Sequence, residues 1–406
     1  MQDNLAFKAY LELVKIGIGT SDNGFDFSGL NNEDWLFLLE ESRKQATVLL
    51  CFDALKYANC KPSDDIYNKW FLWSAKITSA NIVNFVEQSK LTELLDNNSI
   101  PYVILKGWSS AYYYPKPDLR SFGDVDFLVN KADIQKSVQL LLDNGFEMKR
   151  DISPVHYEFH KNKTRFELHK TIAGIPQNKY GVYFNEIIND AVSERIVENG
   201  NVRIGDLHHG VIILLHTLHH LMSYGLGVRH LCDWACFVNK TKANDFWTSK
   251  FIPLLKKTGT FKFMCGLTIV CVKYLGVVKP DWCVDVTDDM VDTITNEVFG
   301  SGNFGSKNKV NKSLLMTMKN SEKITVFSKI KAMIGALNKT NHIVFPIIKK
   351  LPFLYPFIMI YRVLRYLVLM CLGKKSSLIE TSKYADERNA VYMKYELFKV
   401  EDEVNE

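Results

Sequence analysis

The chain has 406 residues, 47% of them hydrophobic and 23% charged, with a formal net charge of +5. This composition excludes a disordered or fibrous protein, and the length exceeds one ordinary core, so two or three packed units are expected. The positive charge is mild and matters only because it is unevenly placed. Eight cysteines (Cys51, Cys60, Cys232, Cys236, Cys265, Cys271, Cys283 and Cys371) form no CxxC pair and no dense framework. They read as buried free thiols in a reducing compartment. The start, Met1-Gln2-Asp3-Asn4, lacks a secretory signal, which points to a cytoplasmic protein.

Residues 1–98 read as helical. Leu5, Tyr10, Leu13 and Val14 form a weak stripe; Trp35, Leu38, Leu39, Ala46, Leu49 and Leu50 form a stronger one that ends near Tyr57, before Lys61-Pro62-Ser63. Asn31 or Asn32 with Asp34 is an N-cap signal for it. A third helix is expected over 66–95, broken or bent in places. No cluster of catalytic residue types falls in this region.

From Ile100 the period changes. Tyr102-Val103-Ile104-Leu105 suits a buried strand that delivers a turn at Gly107, followed by a short helix over 109–114 that Pro115 and Pro117 close. In Asp124-Val125-Asp126-Phe127 the alternation puts both aspartates on one strand face, about 7 Å apart. Two such carboxylates repel unless a cation lies between them, and a divalent ion preferring hard oxygen ligands is the usual solution. An amphipathic helix is expected over 132–142, capped by Asn144-Gly145. Strands are then expected over 146–150, 156–160 and 165–171, with Asn162-Lys163 as a hairpin turn. On the last strand Phe166, Leu168 and Lys170 face one way and Glu167 and His169 the other. Glu167 is therefore placed to join Asp124 and Asp126, or else is an exposed cross-strand partner of Lys161 or Lys163.

These residues carry a family resemblance. Lys106-Gly107, the Tyr-Pro-x-Pro-x-x-Arg run ending at Arg120, Gly123-Asp124-Val125-Asp126, Asn144-Gly145-Phe146 and Phe166-Glu167-Leu168-His169 together resemble the bacterial uncharacterised nucleotidyltransferase family, of the DNA polymerase β-like superfamily. The match covers about 80–175 well and extends more weakly to about 240. It implies an α+β fold: a small mixed β-sheet nucleotidyltransferase core flanked by N-terminal and C-terminal helical regions. It implies that Asp124, Asp126 and Glu167 hold Mg²⁺ or Mn²⁺, that Glu167 acts as or positions the base, and that an NTP is the substrate. It further implies that Lys106, Gly107, Ser109 and Arg120 bind phosphate. The chain departs from the family's Gly-Ser or Gly-Gly at Gly107-Trp108, where a bulky side chain predicts an altered phosphate loop.

Over 206–240 the pattern is helical again. His208, His209, His216, His219 and His220 crowd one helix, and His230, Cys232, Asp233 and Cys236 follow Gly225-Leu226-Gly227. His216 and His220 have the spacing to share a metal ion, but both segments lie in apolar periodic runs, and core packing is the competing account. Arg229 and Asp233 match an Arg-x-x-x-Asp run of the family. With His169 they are candidates for a second wall of the cleft; a buried Arg229–Asp233 ion pair is the alternative.

The last hundred residues are basic and apolar by turns. Ten lysines face the single acid Glu322 between Lys307 and Lys350. An apolar run over 351–372 is long enough to span a bilayer, but Arg362 and Arg365 fall in its middle, at a cost of about 2.5–3.5 kcal/mol each. An interfacial helix on anionic membrane through 343–375, or a helix docked on the protein, fits better. The expected organisation is 1–98 helical, 99–200 nucleotidyltransferase core, 201–300 helical and completing the cleft, and 301–406 basic and apolar. The expected activity is transfer of a nucleoside monophosphate to a hydroxyl-bearing acceptor, in surface-polysaccharide or peptide modification. The rivals are a catalytically silent nucleotide-binding or scaffold protein of the same fold, and a metal-dependent hydrolase or phosphotransferase built on the histidine helix. Nucleic acid is not the expected acceptor, because the basic excess lies far from the core in sequence.

Overall fold

The structure, a computed structural model, describes residues 4–149, 153–176, 178–198, 201–222, 225–303, 306–307, 341, 345–372 and 390–398. Helix α1 (Leu5–Ile18) is capped by the Asn4 side chain, which accepts from the Ala6 N–H. α2 (Asn32–Lys44) opens with a capping box in which Asn31 and Asp34 each accept from the other's backbone N–H. The stripe expected to form one helix to Tyr57 is divided: Ala46 takes a φ of 56° and α3 (Val48–Ala54) starts afresh. Gln45, at the break, donates to the Val298 carbonyl at 3.3 Å and accepts from the Val228 N–H at 2.9 Å. Those distant partners hold the chain out of helical register.

α4 (Asp64–Asn97) is one unbroken helix of 34 residues, so the break that its pattern allows is not there. Its buried face is apolar at both ends (Ile66, Trp70, Leu91, Leu95) but polar in the middle, at Asn81, Asn84 and Glu87. These side chains interrupt the apolar period without interrupting the backbone, because each has work on neighbouring loops. Asn81 donates to the Arg120 carbonyl at 3.0 Å and accepts from the Phe122 N–H at 3.3 Å. Asn84 donates to the carbonyls of Phe122 and Gly123 and accepts from the Thr164 hydroxyl at 3.0 Å. Glu87 accepts from Asn162.

The chain then builds a mixed sheet from β1 (Tyr102–Ile104), α5 (Trp108–Ala111), β2 (Asp124–Val129), α6 (Ile134–Asp143), β3 (Glu147–Met148), β4 (His156–Lys161) and β5 (Thr164–His169). The strand order is β1-β2-β5-β4-β3, with β2 and β5 parallel and the other pairs antiparallel. Asn162 and Lys163 take φ of 48° and 69°, as a two-residue hairpin turn requires. One sheet face is apolar: Val125, Phe127, Phe159, Phe166 and Leu168 pack with Leu91 and Leu95 of α4 and Leu141 of α6. The other face carries the acidic residues.

α7 (Gly181–Asn189) and a small ribbon of β6 (Ile196–Glu198) and β7 (Asn201–Arg203) lead to α8 (Asp206–Met222), α9 (Val228–Thr241), α10 (Ile252–Lys257), α11 (Phe261–Leu275) and α12 (Asp288–Ser301). These helices share a second and larger core with α1–α3. Near the C-terminus α13 (Tyr355–Cys371) follows. Among the described residues no helix is long and apolar enough to cross a membrane. Most of the lysine-rich stretch after Lys307, the flank 373–375 and the tail after Lys383 up to residue 389 lie outside the described residues. All eight cysteines are unbridged; six are buried, whereas Cys60 is half-buried and Cys371 exposed, contrary to the expectation that all are buried.

Because Asn84 joins α4, the turn before β2 and the start of β5, Asn84→Ala leaves several polar groups without their buried partner. It should lower the free energy of unfolding by about 1–3 kcal/mol, read from denaturant midpoints.

Candidate active site

The register of the parallel pair decides what meets on the polar face. Asp124 lies beside Arg165 and Asp126 beside Glu167. Carboxylate oxygens of Asp124, Asp126 and Glu167 thereby come within 4.8 Å of one another. Asp126 is 2% exposed and Glu167 8%. Such a group needs positive charge or hydrogen-bond donors nearby, and three side chains, one from the end of β1 and two from β5, deliver them. Lys106, at the end of β1, sets Nζ 2.9 Å from Asp126 Oδ1. His169 Nε2 lies 2.8 Å from the same oxygen. Arg165 pairs with Asp124 and reaches Glu167 Oε1 at 3.4 Å.

The two central carboxylates titrate in opposite directions. Burial alone would raise the Asp126 carboxyl, but Lys106 and His169 hold it far below the usual range. Burial, then the neighbouring charges of Asp126 and Asp124, push Glu167 up to about 7. Burial works against the Lys106 ammonium, yet Asp126 and Asp124 hold its proton more firmly than usual. The three carboxylates could together hold a metal ion.

Gly107 makes the turn after Lys106 possible, since its φ of 59° with ψ of −113° is closed to side-chain-bearing residues. Its carbonyl accepts from the Ala111 N–H at 3.0 Å and from Arg120 at 3.2 Å. Ser109 is engaged within the turn: its hydroxyl donates to the Ile104 carbonyl at 2.6 Å and its N–H to the Lys106 carbonyl at 3.1 Å. The Trp108 ring packs on Phe85 of α4, with centroids 4.8 Å apart, and does not line the cleft. The bulk that predicts an altered loop is directed elsewhere.

Arg120 places both prongs of its fork on Asp233, at 2.7 and 2.8 Å, where the Tyr114 hydroxyl also donates at 2.7 Å. Burial would raise the Asp233 carboxyl, but Arg120 outweighs it and brings it down to about 2. Asp233 is thus tied to Arg120, and Arg229 donates instead to the Ser121 carbonyl at 3.3 Å and lines the cleft. The cleft encloses about 550 Å³ between the polar sheet face and α8 and α9, a volume suited to a small-molecule substrate.

His216, His219 and His220 form its far wall. With His230 the first and last of these make a compact trio, with ring centroids 4.3 Å apart for His216–His220 and 4.6 Å for His220–His230. Burial holds all of them neutral, His230 down to about 3. His230 Nδ1 accepts from the Gly227 N–H at 3.1 Å, so its Nε2 carries the proton. A ring in that tautomer is a hydrogen-bond donor toward its neighbours and not a zinc ligand, which favours the packing account of this helix.

Several site residues escape a strand-by-strand reading: His156, Arg165, Tyr114 and the α4 asparagines. The first two were within reach of it. Counting outward from Asn162-Lys163 pairs His160 with Arg165 and His156 with His169, on the face of Glu167.

A family model for uncharacterised nucleotidyltransferases matches residues 31–276, more than half of the chain, and the protein belongs to that family. No curated protein and no solved structure is a match.

Because Glu167 holds a proton up to about 7 in the metal-free protein, a divalent ion must displace it. Calorimetry in buffers of different ionisation enthalpy should show about one proton released per ion bound at pH 6 and almost none above pH 8. Affinity should rise with pH across that interval.

Proposed function

We propose that this protein transfers a nucleoside monophosphate from an NTP to a hydroxyl-bearing acceptor. The observation that carries the reading is the convergence of Asp124, Asp126 and Glu167 on one sheet face, at a cleft walled by Lys106, Arg165 and Arg229. Asp124, Asp126 and Glu167 would hold Mg²⁺ or Mn²⁺, which when bound supplies Lewis-acid polarisation of the phosphate oxygens. Lys106 and Arg229 bind the triphosphate, and Arg165, displaced from Asp124 as the cleft fills, adds a third cation. Glu167 acts as, or positions, the base that takes the proton of the attacking hydroxyl. The hydroxyl oxygen bonds to the α-phosphorus, the bond from that phosphorus to the bridging oxygen breaks, and pyrophosphate leaves. Arg120 is a positioning residue: it ties Asp233 of α9 to the Gly107 turn and so sets the distance between the two walls.

A second reading is a catalytically silent nucleotide-binding protein. It is favoured by one observation: Lys106, Arg165 and His169 already compensate the carboxylates. Glu167→Gln separates the two. On the enzymatic reading it lowers the rate of pyrophosphate release by about 10²- to 10⁴-fold while NTP binding persists. Calorimetry with each NTP, with and without Mg²⁺, should show metal-dependent binding that Asp124→Ala/Asp126→Ala abolishes. No metal-dependent NTP binding by the wild type overturns the enzymatic reading, and binding without pyrophosphate release across an acceptor panel favours the silent one.

The acceptor belongs, on this proposal, to surface-polysaccharide or peptide modification on the cytoplasmic side of a membrane. Supporting this, α13 and the turn before it expose Phe353, Phe357, Ile360, Leu364 and Val368, with Lys349-Lys350 just ahead. Each exposed apolar side chain favours burial at a lipid interface, and the lysines favour anionic headgroups. The protein should co-sediment with vesicles containing phosphatidylglycerol and not with neutral ones. Phe357→Asp/Leu364→Asp should reduce the bound fraction severalfold.

A further inference from the structure

β4 brings to the acidic face a residue type that the three-carboxylate set does not need. His156 lies opposite His169 across the antiparallel β4–β5 pair, with ring centroids 5.5 Å apart. Glu167 Oε2 lies near both, 3.2 Å from His156 Nδ1 and 3.6 Å from His169 Nε2. One ligand atom from each of the three residues falls within 4.8 Å of the others. Main-chain chemistry orients His169. Its Nδ1 faces the Thr171 carbonyl oxygen at 3.2 Å. A carbonyl can only accept, so that nitrogen donates; Nε2 in turn donates to Asp126 Oδ1 at 2.8 Å beside Glu167, and a cation bound there takes the place of that proton. Metal-ligating histidines are held in this way: one ring nitrogen donates to a backbone oxygen while the other faces the ion.

We propose that His156, His169 and Glu167 form a cation site beside the carboxylate set, and that it takes a transition-metal ion of the Mn²⁺, Co²⁺ or Zn²⁺ class in preference to Mg²⁺. The inference rests on the metal-centre reading above, because Glu167 belongs to both donor sets. Imidazole nitrogen discriminates strongly between these ions, whereas carboxylate and water accept Mg²⁺ readily. The two sets on one sheet face are therefore chemically unlike: three oxygens on β2 and β5, two nitrogens and an oxygen on β4 and β5. Their order follows from the hairpin register, which fixes His156 to His169 as firmly as the parallel register fixes Asp126 to Glu167. A protein loaded with Mg²⁺ alone would then be only partly assembled. The cleft that both sets line leaves room for water or substrate oxygens to complete the coordination.

The test uses the full chain, stripped with a chelator and dialysed, with Mn²⁺ added in saturating Mg²⁺ and no nucleotide. Pulsed electron paramagnetic resonance should show one Mn²⁺ that Mg²⁺ does not displace and that carries nitrogen coupling from histidine. Co²⁺ in its place should give visible ligand-field bands. His156→Gln should weaken Mn²⁺ binding about tenfold or more and remove part of the nitrogen coupling, with Mg²⁺ affinity and the circular-dichroism melt unchanged. The wild-type spectrum stands even if that variant fails to fold. Absence of nitrogen coupling in the wild type, full displacement of Mn²⁺ by Mg²⁺, or a folded His156→Gln with unaltered coupling and affinity each overturns the site. If Mg²⁺-dependent NTP binding persists in that case, only this inference falls; if it is also absent, the reading beneath it falls too.

Discussion

The constraint on which the rest of the structure depends is the parallel pairing of β2 with β5, in the one register that sets Asp126 beside Glu167. A slip of one residue would turn every side chain on one strand to the other face, burying aspartates among phenylalanines. In the observed register, three carboxylates are crowded on a face that two helices cover. Like charges at that separation and burial cannot all remain ionised without compensation. The surroundings supply it, with Lys106 from the end of β1, Arg165 from β5 itself and His169 from the end of β5. Burial beside the charges of Asp126 and Asp124 pushes Glu167 up to about 7, which makes it the group best placed to exchange a proton near neutrality.

Around that face the fold is held by polar contacts. Asn81 and Asn84 of α4 fix the turn that leads into β2, and Arg120 ties that turn to Asp233 of α9. Breaking a buried pair of the Arg120–Asp233 kind costs about 3–5 kcal/mol, because the remaining charge is left in an apolar setting. The pair adds geometry more than net stability. It keeps the sheet and the histidine wall of α8 at a separation that leaves the cleft open. α4 illustrates the same economy: its length serves two cores, and its polar middle serves the site.

What was legible in the sequence follows from periodicity. Alternation along β2 and β5 separates Asp124, Asp126, Glu167 and His169 from Val125, Phe127, Phe166 and Leu168, and the Asn162-Lys163 turn announces its hairpin. The α+β class and the family follow from motifs in the same stretch. What was not legible depends on partners distant in the chain. Nothing local says that the Arg120 fork goes to Asp233, 113 residues away, or that Trp108 turns from its loop to pack on Phe85. Periodicity equates a polar residue with an exposed one and so reads α4 as interrupted, but Asn81, Asn84 and Glu87 are buried. Ala46 divides the second helix through a positive φ that no glycine signals.

The central claim, that the carboxylate face performs nucleotidyl transfer, is tested most directly by following the two ends of the triphosphate separately. NTPs labelled at either the α- or the γ-phosphorus are incubated with the protein, Mg²⁺ and Mn²⁺, and an extract supplying acceptors. Label from the α position should become acceptor-bound while the γ label appears only in pyrophosphate, and both should vanish in Asp126→Asn. Appearance of the γ label on the acceptor, or equal α-labelling by Asp126→Asn, would contradict the account.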